Sequence, residues 1–254
     1  MKLARDTWLI FQRQFLLVWR SPVWIGFALA QPVTYVLLFA PMLKLALKAE
    51  GVTTYTQAYR VYVPGLLTVM AILGGCYAGF GLLAEVRAGI IERARVTPVS
   101  RLALMLGRAL REVVMLLVQA VIITLLALPF GLRVPIADLL LAYLLLALLS
   151  VMAVNFSYGL TLKVRNEAAL GPMINTMSNP LMLLAGVLLP LTLAPLWLLR
   201  IAQWNPFYWS TNGMRALFSG HVGASSVWIS MIIVVGLAVL ALTWSVRSFQ
   251  RSAQ

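Results

Sequence analysis

Side chains that commonly perform covalent or metal chemistry are scarce in this sequence. Its 254 residues include one cysteine, Cys76, and one histidine, His221. One cysteine cannot form an internal disulfide, and the pair supplies too few ligands for a closed zinc site. The G-x-x-x-x-G-K-[ST], H-E-x-x-H and G-x-S-x-G motifs are also missing from the sequence. We therefore expect no enzyme activity, cofactor or metal in this chain, and any ATP must be used by another subunit.

The remaining polar chemistry is uncharged and lies inside long apolar stretches. Ionisable residues at membrane depth usually mark ion or proton pathways, and the centres of these stretches contain none. Neutral groups occur there instead: Gln31, Thr34, Tyr35, Tyr77, Gln119, Thr124, Asn155, Tyr158, Asn175, Thr176 and Asn179. Such groups either join helices by hydrogen bonds or contact a ligand. Asn175 and Asn179 are four residues apart and share one helical face.

Apolar stretches long enough to cross a bilayer dominate the chain. Hydrophobic residues make up 62% and charged residues 11% of it, with a mean hydropathy of +0.93. A crossing helix needs about 20 residues, and six stretches qualify: residues 24–47, 61–84, 113–132, 139–162, 170–191 and 227–246. The sequence predicts an all-α integral membrane protein, with six transmembrane helices in one domain over residues 1–254.

The basic residues indicate how these spans are oriented. The chain carries 20 Lys and Arg against 7 Asp and Glu, a net charge of +13. If the N-terminus is inside, fourteen basic residues flank inner span ends and six flank outer ends. Cytoplasmic flanks carry such an excess, so both termini are predicted to be cytoplasmic. The charge then reflects membrane topology, and we expect no nucleic-acid partner.

Residues 1–22 form a separate element ahead of the first span. Lys2, Arg5, Asp6, Gln12, Arg13 and Arg20 fall on one helical arc, opposite Trp8, Phe11, Phe15 and Trp19. This pattern predicts an amphipathic helix in the inner interface, and Ser21-Pro22 turns the chain into the bilayer. The alternative is a helix that packs on other protein.

The connection over residues 85–112 has the densest charge in the chain. Its charged residues are of both signs: Glu85, Arg87, Glu92, Arg93, Arg95, Arg101, Arg108, Arg111 and Glu112. Thr97-Pro98 suits a cap followed by the first residue of a helix, so a helix, a turn and a second helix are expected. The mixed charge favours a surface that docks a partner, although a charged loop would also satisfy the topology.

Prolines break the apolar segment over residues 191–226 into pieces too short to span. Trp197, Trp204, Tyr208, Trp209 and Trp228 cluster there, as aromatic rings do at membrane interfaces. Two short re-entrant or surface helices are therefore predicted on the outer side. A plain aromatic anchor is the alternative.

The order of these elements resembles the permease subunit of type-2 ATP-binding-cassette exporters over almost the whole chain. Residues 92–101, E-R-A-R-V-T-P-V-S-R, are similar to that family's E-R-x-R-x-(S/T)-P-(V/L)-S-R stretch. Asn205-Pro206 followed by Arg215-Ala216-Leu217 resembles its N-P…R-x-L outer segment.

The resemblance implies two copies around a translocation path, above two separate cytoplasmic ATPase subunits that hold ATP and magnesium. It makes residues 1–22 a connecting helix, and it places coupling to the ATPase on Glu85, Arg87, Glu92, Arg93, Arg95, Thr97, Pro98 and Arg101. The path would run between the second and fifth spans, past Tyr77, Phe80, Asn175, Asn179 and Met182. The outer segment would contain Asn205, Pro206 and Arg215.

The implied function is export of an amphiphilic small molecule, such as a drug, natural product or lipid-like compound, across the plasma (inner) membrane of a prokaryote. The short cytoplasmic ends and the loop motif are most similar to drug- and natural-product-exporting permeases. Export of polysaccharide or lipid-linked glycan is one alternative. An ion-coupled secondary transporter and a non-transporting membrane scaffold are the others.

Overall fold

The described part of the chain is built from helices. A computed structural model describes residues 2–46, 54–90, 100–187 and 194–251. The helices are α1 Lys2–Trp19, α2 Pro22–Ala46, α3 Tyr55–Arg87, α4 Arg101–Ala127, α5 Ile136–Val164, α6 Glu167–Leu184, α7 Leu196–Ala202, α8 Pro206–Phe218 and α9 Ser225–Arg251. A short 3₁₀ turn, Leu128–Phe130, follows α4.

Each predicted span overlaps one of these helices. Of those described, α3, α4 with its 3₁₀ turn, α5 and α9 are long and apolar enough to cross a membrane. In α2 the described apolar portion is the shorter stretch Ala28–Leu38, and α6 is 18 residues long with two internal prolines. Four long apolar helices are therefore confirmed, whereas the count of six spans and the side of the termini stay predictions.

Helix α4 contains most of the third predicted span, but it begins and ends earlier than that stretch. Helix α4 begins at Arg101, because Ser100 caps it by accepting a 3.2 Å hydrogen bond from the Ala103 amide. The helix ends at Ala127, before the predicted end at residue 132. After Ala127, a proline-containing 3₁₀ turn leads into Gly131, which has a φ of 89°. Glycine adopts this left-handed conformation without steric cost.

The fifth predicted span also ends too late. Helix α6 stops at Leu184, and Gly186 follows at φ 64°, a backbone conformation that terminates helices. The fifth predicted span follows the apolar sequence to residue 191. Residues 188–193 lie outside the described part of the chain.

Helix α5 forms the centre of the described structure and packs mainly against α3 and α9. Small residues bring α3 and α5 together, since Gly75 faces Ala153 and Gly79 faces Ser157 too closely to admit a side chain. The Ser157 hydroxyl donates a 2.5 Å hydrogen bond to the Cys76 carbonyl and accepts a 3.1 Å bond from the Gly79 amide. These contacts hold in place the helix that carries Tyr77 and Phe80, two of the predicted path residues.

Helix α1 packs along α4, where Gly107 leaves room for Ile10. Its one buried face contains Asp6, Phe11 and Gln14. Asp6 thus departs from the solvent-facing arc that the periodicity predicts. Phe11 of the aromatic face is buried, whereas Trp8 and Trp19 remain 53% and 68% exposed. The helix therefore packs on protein along one face, and its position in the membrane interface stays a prediction.

Candidate functional site

A cavity of about 820 Å³ opens beside the middle of α3. It lies between the end of α1, α2, α3 and α4, and its volume falls within the range of small-molecule sites. Apolar atoms form most of its lining, and eight residues supply aromatic or polar groups: Ser21, Gln31, Tyr77, Phe80, Arg111, Glu112, Gln119 and Ser150. A surface of this kind suits a molecule with an apolar body and a polar group.

Two glycines of α3 widen the cavity. Gly74 and Gly81 line it, and no described atom lies within 4 Å of the position that a Cβ would occupy at either residue. They are seven residues apart and therefore lie on one helical face. The sequence shows these glycines beside the G-x-x-x-G pattern of Gly75 and Gly79, but it did not predict that they line a cavity.

Two of the predicted path residues meet across α3 and α6. The Tyr77 hydroxyl donates a 2.6 Å hydrogen bond to the Asn175 side-chain oxygen. Tyr77 also stacks on Phe80 with ring centroids 5.9 Å apart. Asn179 lies one turn further along and is exposed, whereas Met182 is half-buried and packs against the main apolar core. The structure therefore brings Tyr77, Phe80 and Asn175 together and places Met182 away from them.

The exposed face of α6 is unusually polar for a membrane helix. Asn175, Thr176 and Asn179 are all exposed, although the Asn175 side-chain oxygen also accepts the hydrogen bond from Tyr77. Amide groups in contact with lipid tails have no hydrogen-bonding partner, which costs several kcal/mol in a purely apolar medium. This face is accordingly suited to a water-filled path or to a second copy of the chain.

Glu85 lies among helices rather than on an open loop. Its carboxylate accepts a 2.7 Å hydrogen bond from Gln14 of α1 and forms an ion pair with Arg108 of α4, whose side chain is only 7% exposed. These contacts join α1, α3 and α4 at one point. The sequence identified Glu85 by its charge, but Gln14 carried no signal because its partner is 71 residues away.

The other predicted coupling residues fall into two groups. Arg87, at the end of α3, forms an exposed ion pair with Glu167 at the start of α6, and Arg101 is exposed at the start of α4. The rest lie outside the described residues: Glu92, Arg93, Arg95, Thr97 and Pro98.

Two of the three residues singled out in the outer segment, Asn205 and Arg215, hold the end of α6. Asn205 caps α8 by accepting a 3.0 Å hydrogen bond from the Phe207 amide, and it donates a 2.7 Å bond to the Leu181 carbonyl. Arg215 donates to the Gly186 carbonyl at 2.8 Å. Pro206 is the first residue of α8, a position where its missing amide is harmless. The predicted pair of short helices is present as α7 and α8.

Comparison with known proteins agrees with this architecture. The family model described as ABC-2 type transporter matches residues 5–219. The chain belongs to this family. The ABC-2 match takes in α2 to α8 and all but the first residues of α1, so both sequence patches lie within it.

Two relatives of this ABC-2 chain carry the name "Putative transport permease ycf38". The protein from Cyanophora paradoxa is 24% identical over 218 residues, which cover 85% of this chain and 74% of the relative. The protein from Porphyra purpurea is 26% identical over 212 residues, covering 83% and 72%. The ABC-2 chain is thus a multi-pass membrane protein and a transport subunit rather than an enzyme.

Proposed function

We propose that this protein is the membrane subunit of an exporter that moves an amphiphilic small molecule by using a separate ATPase. The cavity beside α3 carries this proposal, because it combines apolar walls with Tyr77, Gln119 and the Arg111–Glu112 ion pair. An apolar tail can occupy such a site while a polar group forms hydrogen bonds. A long glycan would need a more continuous polar lining, so an amphiphile is the better match.

A second copy of the chain would complete the path. The polar face of α6 is exposed in one chain, and pairing two such faces would remove it from lipid and enclose a polar route between them. In this arrangement the Tyr77–Asn175 contact lies where the cavity of each copy joins the shared path.

The conformational change of the ATPase would be transmitted to this protein through the segment between α3 and α4. Two ATPase subunits that hold ATP and magnesium would dock there, on the cytoplasmic side of a prokaryotic plasma membrane. Glu85 then matters because it connects that segment to α1 and α4. A shift of the docked segment would tilt these helices together and open the cavity alternately to each side.

The test of substrate binding uses the purified complex with its ATPase in lipid nanodiscs. Tyr77→Phe and Asn175→Ala remove the hydrogen bond between α3 and α6, and we expect the concentration of amphiphile that half-maximally stimulates ATP hydrolysis to change at least threefold. Thr243→Val is the matched control, because Thr243 is an exposed polar residue of α9. If only expression or assembly suffers, the two residues join helices and do not contact substrate.

The test of coupling replaces the charged pair of the loop motif. Glu92→Ala and Arg93→Ala should lower substrate-stimulated ATP hydrolysis several-fold while the protein still inserts and binds amphiphile. Arg5→Ala controls for the loss of one basic residue on the same predicted side. Unchanged stimulation in correctly assembled complexes would contradict the coupling role.

A further inference from the structure

A second hollow, distinct from the cavity beside α3, runs between α6 and α9. We call it the α6–α9 groove; its volume is about 500 Å³. Its floor is α5, with Phe156, Leu160 and Ala153, and its walls include Met177 of α6 and Leu240 of α9. Nearly every lining side chain is apolar. The proposed transport route does not use this groove.

The groove exists because α6 and α9 have different packing partners. Within the described residues, α6 packs mainly against α3, while α9 packs against α5 and α8. The gap between them is open to the surroundings of the protein, where Val239 and Leu240 of α9 are 56% and 63% exposed. Water gains few hydrogen bonds in an apolar space, so hydrocarbon is the favoured filling at membrane depth.

One end of the groove carries a fixed aromatic ring and a cation. Trp244 lies flat in a notch at Gly159, where an added Cβ would stand 2.5 Å from the indole ring. Phe156 holds the same ring from the side at a centroid distance of 5.4 Å. The Lys163 ammonium lies 5.5 Å from the Trp244 ring centroid, and its side chain is exposed. This cation–π contact keeps a positive charge at the mouth of the groove.

The groove and the helical turn that leads from it to Lys163 together match the thickness of one leaflet of a bilayer. Its floor on α5 extends from Met152 to Leu160, with Lys163 one turn beyond. Lys163 lies eleven residues after Met152, a rise of roughly 16 Å at 1.5 Å per residue. Half of a hydrocarbon core is about 15 Å thick. An acyl chain that starts at the level of Lys163 would therefore reach the end of the groove near the bilayer midplane.

We propose that the α6–α9 groove is a phospholipid site, with an acyl chain along α5 and the lipid phosphate at Lys163. The charge of Lys163 complements the phosphate, and Trp244 lies where headgroup and chain meet, a depth that tryptophan favours. The lipid belongs to the leaflet on the Lys163 side, which the basic-residue count predicts to be the cytoplasmic one. Because the acyl chain would lie against α6, the presence of lipid in the groove would also set the position of this helix, which carries Asn175.

The test uses nanodiscs that contain a phosphatidylglycerol with a diazirine in its acyl chain. After illumination, labelled peptides are mapped by mass spectrometry. We expect labels at groove residues of α5 and α9, such as Leu160 and Leu240, above the level at the outward-facing Ile232. Lys163→Ala should lower groove labelling at least threefold, whereas Arg5→Ala should leave it unchanged. A diacylglycerol probe with the same diazirine chain lacks the phosphate and should label the groove weakly.

A second variant fills the groove directly. Ala241 lines it, so Ala241→Phe should abolish groove labelling by either probe. Gly236→Phe is the matched control, because Gly236 lies on the same helix with no described atom within 4 Å of its Cβ position. Monodisperse elution of each variant establishes that it folds. If Ala241→Phe does not fold, the Lys163 variant and the two probes still decide the result.

Two outcomes would overturn the proposal. If Lys163→Ala does not lower groove labelling, and the diacylglycerol probe labels the groove as strongly as the phosphatidylglycerol probe, the groove has only ordinary contact with lipid and is not a phospholipid site. Absence of groove labels, with normal labelling at Ile232, would show that a second copy of the chain covers the groove. Neither outcome depends on ATP hydrolysis or export.

Discussion

At the scale of single residues, Arg215 of the outer segment holds the backbone that follows α6 by several hydrogen bonds; we call this set of contacts the clamp. Arg215 donates to the carbonyls of Gly186 and Val187 at 2.8 and 3.3 Å, and to that of Val61 at 3.2 Å. Gly65 approaches the same turn so closely that an added Cβ would stand 2.5 Å from the Val187 carbonyl oxygen. The clamp therefore holds the outer end of α6 against α3.

Replacing Arg215 should weaken this clamp. Arg215→Ala leaves several carbonyls without their charged donor, and we expect a loss of roughly 1–3 kcal/mol in stability. Thermal unfolding of the purified protein in detergent measures it. Arg200→Ala removes an exposed arginine from α7 and should leave the Tm unchanged. Equal Tm values for the two variants would argue against the clamp.

The two ion pairs at the other end of α3 should differ in strength. Glu85→Ala strands the buried Arg108 and should cost about 3–5 kcal/mol, whereas Glu167→Ala removes an exposed pair with Arg87 worth about 0.2–1 kcal/mol. Replacing both members of the buried pair, as in Glu85→Leu with Arg108→Met, should recover part of the loss. The same thermal unfolding assay compares them, and a Glu167→Ala loss as large as that of Glu85→Ala would contradict the assignment.

At the scale of helices, α1 depends on one close approach. An added Cβ at Gly107 would stand 2.7 Å from the Ile10 side chain and 2.9 Å from the Thr7 carbonyl oxygen. A larger residue there must push α1 away from α4. The Gln14–Glu85 hydrogen bond would then break as well.

Gly107→Leu should accordingly release α1. We expect the amides of residues 2–19 to exchange with deuterium faster by at least tenfold, as measured by mass spectrometry. Gly74→Leu is the control, because its new side chain enters open space in the cavity beside α3. Similar exchange rates in both variants would mean that the membrane interface, and not packing against α4, holds α1 in place.

The distribution of apolar residues along the sequence predicted where the helices lie, but it predicted their ends less accurately. Every one of the six apolar stretches contains a helix, because long apolar runs lead to few other structures in a membrane. The end of α6 was missed because it depends on Gly186 and on Arg215, which is 29 residues away. The Glu85 network was missed for the same reason, since hydrophobic periodicity does not indicate which distant side chains meet.

At the scale of the whole molecule, the proposed dimer predicts which surfaces face each other. With Cys76 replaced by Ala, a cysteine at Asn179 should cross-link two copies through a short bismaleimide. A cysteine at Val239, which is exposed on α9, should leave the protein monomeric on a denaturing gel. Equal cross-linking at both positions would contradict pairing through α6.

The tight seam between α3 and α5 has a consequence for engineering. Ala153 and Ser157 lie directly against Gly75 and Gly79, so those two helices cannot be exchanged separately without rebuilding four positions. Helix α6 makes fewer contacts with the rest of the chain. In chimaeras between relatives, we therefore expect α6 to transplant alone and α3 to transplant only together with α5.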